Sequence, residues 1–140
     1  MPEGVGYGPQ NTSSVGLNLN IIGNHVYAYS GAHGTSTSAE TRLDFTTGAF
    51  YIVGRMYLNG GIESGSASGE TTTADIKFNS ESVARIKADG SASADNVPTS
   101  YNDLIIAPFT HVEVELDSSD SDADRKTTLV FTGRIYGKIE

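Results

Sequence analysis

The sequence predicts an all-β fold, an antiparallel β-sandwich, and three observations carry that prediction. Apolar residues recur at every second position in short runs, the period of a strand with one buried face. Turn-forming residues separate these runs at short, regular spacing. The composition also suits strands, because only 19% of the 140 residues are charged and the rest of the polar surface must come from Ser, Thr, Asn and 16 glycines. Those residues are weak helix formers. The length fits one domain with one hydrophobic core, and a jelly roll is one path through such a sandwich.

Residues 1–14 carry Pro2, Gly4, Gly6, Gly8 and Pro9, with little apolar mass beyond Val5 and Tyr7. They read as a flexible N-terminal arm, and 15–140 as the single domain. Val15, Leu17, Leu19 and Ile21 then share a strand face. Gly23-Asn24 marks a turn into "HVYAYS", where Val26 and Ala28 oppose Tyr27 and Tyr29. "GAHGTSTSA" reads as a loop.

Leu43 and Phe45 share a face ahead of a turn at Thr47-Gly48, and Phe50, Ile52, Met56 and Leu58 continue beyond it. "FYIV" is apolar on both faces, which suits a strand in mid-sheet or in an interface. Gly54 within that strand predicts a bulge or a close backbone approach. Asn59-Gly60-Gly61 ends it, and "IESGSASGE" is a polar loop.

"TTTADIKFNSESVARIKADG" reads as a hairpin. Ala74, Ile76 and Phe78 face inward, residues 79–81 turn, and Ala84, Ile86 and Ala88 return. A helix over "SESVARIKA" competes, but its apolar residues fall at every second position. "DGSASADNVPTSYND" reads as a loop and "LIIAPF" as a short strand broken by Pro108. "THVEVEL" sets Val112, Val114 and Leu116 against His111, Glu113 and Glu115. The last strand sets Leu129, Phe131 and Ile135 against Val130, Thr132, Arg134 and Tyr136.

A net charge of −8 repels phosphate backbones and anionic membrane surfaces, so neither a nucleic acid nor a membrane is expected as a partner. Without cysteine there is no disulfide, no thiolate metal site and no cysteine nucleophile, which fits assembly in a reducing cytoplasm. "MPEGVGYGPQNTSS" lacks the basic and apolar regions of a signal peptide. No apolar run is long enough for a spanning helix.

Catalytic patterns are absent, and no enzyme activity or cofactor is expected. His25, His33 and His111 are spread over two strands and a loop, without the converging ligands zinc needs. No G-x-S-x-G elbow and no phosphate loop occurs. Glu113 and Glu115 share a strand face, the one pair that a glycosidase reading could use. They read instead as a solvated face. "DSSDSDAD" offers Asp120, Asp122 and Asp124 as weak calcium candidates. It lacks the glycine and flanking helices of an EF-hand, and Arg125-Lys126 follows. Residues 117–126 read as a solvated loop at the top of a hairpin between two strands, with Arg125 and Lys126 as solvated cations returning some of the charge.

Three segments carry a resemblance: "GNHVYAYSG", "LDFTTGAFYIVGRMYLNG", and "NDLIIAPFTHVEVEL" with "TTLVFTGRIYG". Together they resemble small β-rich virion proteins of tailed bacteriophages, particularly of marine and cyanobacterial phages, over residues 16–137. The resemblance implies a structural protein of the virion, either a capsid decoration (cement) protein or a tail accessory. It implies a homo-oligomer, a trimer by preference, seated on the outer shell and bridging major capsid protein subunits after assembly in the host cytoplasm. Tyr7, Tyr27, Tyr29 and Tyr57 are the candidate contact residues, because aromatic side chains dominate such interfaces. The rival reading is a glycan- or receptor-binding β-sandwich of a fibre, with tyrosines as stacking platforms.

Overall fold

The computed structural model describes residues 19–61, 70–90 and 99–137. The expected arm, Val15 and Leu17 lie outside them. Ten strands are described: β1 (Leu19–Ile22), β2 (His25–Tyr29), β3 (His33–Thr35), β4 (Glu40–Thr46), β5 (Tyr51–Asn59), β6 (Thr71–Phe78), β7 (Glu81–Asp89), β8 (Thr99–Ile106), β9 (His111–Ser118) and β10 (Asp122–Tyr136). They form two antiparallel sheets packed as a sandwich. The small sheet runs β4-β9-β6-β7, and the large sheet runs β1-β2-β10-β5-β8, with β3 also on β10.

Alternation sorts the side chains as expected. Leu43, Phe45, Ile76, Val112 and Val114 point inward from the small sheet, and Ile52, Met56, Leu58, Leu129 and Phe131 from the large one. Phe45 and Phe131 stack across the core at 6.1 Å between centroids. The β5 strand is central in its sheet, with β10 on one side and β8 on the other. Gly54 makes the close approach rather than a bulge. It pairs directly with Gly133, and the register of β5 on β10 is unbroken. A Cβ on Gly54 would sit 2.7 Å from the Phe131 ring and 2.5 Å from the Thr132 carbonyl oxygen.

The segment 71–89 is the expected hairpin, not a helix. Asn79 and Ser80 both take positive φ, 51° and 72°, which is the backbone of a two-residue type I′ turn. The register shifts so that Ile76 pairs Ala84 while Lys77 pairs Ser82. The extra residue, Val83, is thereby bulged out to solvent. The turn after β8 is pinned by Thr47, whose hydroxyl donates to the Ala107 carbonyl at 2.9 Å and accepts from the Thr110 N–H at 2.8 Å.

Three local expectations are corrected. Residues 99–103 belong to strand β8, not to a loop, because pairing with β5 over Asn59 to Ile52 overrides their polar sequence. Part of "GAHGTSTSA" is strand β3, paired to β10. The acidic stretch does not top a hairpin. Strand β9 ends in the small sheet and β10 begins in the large one, so residues 119–121 cross between sheets. Arg125 is not a solvated counter-charge either. It is fully buried, its Nε lies 3.1 Å from Glu70 Oε2, and its Nη1 donates to the Gly60 carbonyl at 2.5 Å. The Nε–H is not aligned on the carboxylate, so this is an ion pair without a hydrogen bond.

Candidate functional site: the tyrosine face of the large sheet

The two sheets present opposite kinds of outer surface. In strands β1, β2, β5 and β8 and the 128–136 stretch of β10, outward positions hold Tyr27, Tyr29, Tyr51, Tyr57, Tyr101 and Tyr136. Those are six of the seven tyrosines in the chain. Ile22, Val53 and Ile105 join them. Among the described residues, eight of the ten exposed large hydrophobic side chains lie here, so the clustering is not scatter. The exceptions are Val83 and Phe109, the latter at the tip of the turn after β8.

Register brings these side chains into rows across the sheet. Ile22 opposes His25, His25 opposes Arg134, Arg134 opposes Val53, and Val53 opposes Ile105. The next row runs Asn20, Tyr27, Thr132, Arg55 and Asp103. Beyond it Tyr29, Val130, Tyr57 and Tyr101 follow. Tyr57 and Tyr101 lie 6.0 Å apart with rings tilted by 40°. Between the first two rows runs an open groove of about 540 Å³, lined by Val53, Gly54, Arg55, Asp103, Ile105 and Thr132.

Among the described residues, three charged side chains stand on this face: Arg55, Asp103 and Arg134. Arg55 Nε donates to Asp103 Oδ1 at 2.6 Å, and its guanidinium lies 4.1 Å from the centre of the Tyr101 ring. The Arg55 hydrogen bond holds the Asp103 carboxyl below the usual carboxylate range. Neither Lys nor Glu occurs in these segments. Enrichment in Tyr and Arg with depletion of Lys and Glu is the composition of protein interfaces.

The small sheet faces outward with Asp44, Asp75, Asp89, Glu113, Glu115 and Asp117 against Arg42, Lys77, Arg85 and Lys87. Six carboxylates against four cations make this face acidic. Cross-strand pairs lace it together, including Lys77 with Glu115 at 3.2 Å and Arg85 with Asp75 at 3.5 Å. Glu113 and Glu115 stand side by side on this face, and Glu115 is held in its pair with Lys77.

The histidines separate. His25 is exposed on the tyrosine face, and His33 donates from Nε2 to the Ser30 carbonyl at 2.8 Å. His111 Nε2 donates to Asp44 Oδ1 at 2.6 Å, with Glu113 4.0 Å from Nδ1. Among the described residues, Asp44, His111 and Glu113 are the group whose ligand-type atoms come within 4.8 Å of one another. The two carboxylates sit on opposite nitrogens of one imidazole, the arrangement of a clamped ring rather than a shared ion site. Of the calcium candidates, Asp120 and Asp124 are exposed, and the Asp122 side chain lies outside the described residues.

Sequence reasoning named Tyr27, Tyr29 and Tyr57, and the structure brings all three onto one face. Tyr7 lies outside the described residues. Tyr51, Tyr101, Tyr136 and Ile105 were missed. The apolar-on-both-faces "FYIV" was the signal for the first. Only the β5–β8 register, which no local pattern reveals, brings in Tyr101 and Ile105.

No protein-family model and no curated protein matches the chain. Among solved structures, the chain is similar to the CBM35 from Cellvibrio japonicus Abf62. The TM-score is 0.35 and the identity 10%, covering 93% of this chain and 86% of that one.

Proposed function

We propose that this chain is a structural protein of a phage virion, a capsid decoration protein that works by assembly rather than catalysis. The tyrosine face is the observation that supports an assembly role. A monomer rarely leaves so continuous an apolar surface open without a use for it. Aromatic and arginine side chains on it are the residues that anchor protein contacts. The virion setting and the major capsid protein as partner follow from the resemblance of the three segments. The acidic small sheet then faces solvent, where like charge keeps particles apart.

The experiment is co-sedimentation of the full chain with capsid shells that lack it. Saturable retention is expected. Deleting residues 2–14 tests the arm as the shell contact and should reduce retention. Shells that retain none of the intact chain would remove the virion reading.

A glycan-binding role is the second reading. The tilted Tyr57–Tyr101 pair beside the groove, with the polar Arg55–Asp103 pair at its rim, is the observation that favours it. Aromatic platforms with polar groups alongside suit sugar rings. A glycan array tests it: binding lost on Tyr101→Ala supports this reading, and a blank array removes it.

A further inference from the structure

The face has the dimensions of an interface. Five strands about 4.8 Å apart, running from 4 to 9 residues at ~3.3 Å per residue, project to about 550 Å². The accessible area of a corrugated sheet exceeds its projection, so the face approaches the ~800 Å² per partner of a standard interface.

Charge then narrows the occupant. A partner selected by opposite charge would meet the acidic small sheet. The tyrosine face holds an internally paired Arg55–Asp103 and one further cation, Arg134. Its one carboxylate, Asp103, is already paired with Arg55, so among the described residues this is the sheet face on which two chains of net charge −8 meet with the least repulsion. A head-to-tail contact, tyrosine face on acidic face, would improve the Coulomb energy. It would also strip water from the Lys77–Glu115 and Arg85–Asp75 pairs without replacing it, a desolvation cost that offsets the attraction. Apolar surface against apolar surface carries no such cost.

We infer that a second copy of this chain covers the tyrosine face, in a two-fold pair that stacks the two large sheets. The contact is isologous, so one patch closes on itself and growth stops at two. Val53 and Ile105 form its most apolar cross-strand pair, on β5 and the edge strand β8, with Tyr101 also on β8 and Tyr27 across β10 on β2. This inference rests on the reading of the face as an assembly surface. It departs from the trimer that the resemblance implies.

Sedimentation equilibrium of the full chain tests it. At about 100 μM the expected mass is twice the 14.8 kDa chain. The Val53→Asp/Ile105→Asp double variant is expected to weaken self-association by about 100-fold or more, giving monomer with unchanged far-UV circular dichroism. If that variant fails to fold, Tyr27→Ser/Tyr101→Ser should shift the equilibrium the same way. Val83→Asp, on the small sheet, should leave the dimer intact. A wild-type monomer, a trimer, or a dimer that Val83→Asp splits and the face variants do not would each overturn the inference. A dimer that ignores shells would keep this inference and remove the virion setting. A monomer that binds them would do the reverse.

Discussion

At Gly54 a side chain would compete for space with the Phe131 ring and with the backbone of β10. Gly54→Ala is expected to cost about 1–3 kcal/mol as overpacking, and Phe131→Ala about 3–5 kcal/mol as a cavity. The double variant should cost less than the sum, because removing the ring relieves one of the two clashes. Urea unfolding measures all three, and strict additivity would show that the two sites share no volume. Arg125 and Glu70 make a second residue-level case. Glu70→Ala leaves a fully buried guanidinium without its carboxylate, at an expected cost of about 3–5 kcal/mol. Arg125→Met should cost less, since it removes the buried charge itself and leaves Glu70 partly solvated. The reverse order would mean that the pair is not what holds that end of the sandwich. Asp103 supplies the pH case. Its carboxyl is held below the ordinary value by Arg55. Its contribution is therefore present above that ordinary value and fades as pH falls through the lowered one. The pair is exposed, so the effect on stability is small. A carboxyl titration by NMR should place Asp103 below ordinary aspartates, and Arg55→Gln should return it to them.

Elements were legible where local pattern and tertiary demand agree. Strand period over 71–89, with Asn79-Ser80 able to take positive φ, specifies the β6–β7 hairpin without help from the rest of the chain. The alternation in "THVEVEL" likewise settles which face of β9 is buried. Strand β8 was legible only in its last three residues. Thr99 to Asp103 are polar and gain strand structure from the edge of β5. The acidic stretch misled because both its flanks have strand period. Period reveals that two strands exist, not which sheet each joins. Arg125, read as a solvated cation, is buried because β10 starts before the charge run ends. The tyrosine face follows the same logic. Strands β2, β5, β8 and β10 each contribute one or two tyrosines at outward positions, and only cross-strand register assembles them.

At the scale of the whole sandwich, the described residues form one acidic face and one aromatic face, separated by a core shared between two sheets. That asymmetry gives the sandwich a direction. The charged sheet tolerates water, and the tyrosine sheet is better placed against protein. Hydroxyl-radical footprinting of the assembled chain reads this polarity directly. Compared with the Val53→Asp/Ile105→Asp variant, assembly should protect Tyr27, Tyr29, Tyr57 and Tyr101, while Val83 and Phe109 stay as reactive as before. Tyrosines that label equally in both states, with protection falling on the small sheet instead, would contradict the assignment of the tyrosine face as the assembly surface.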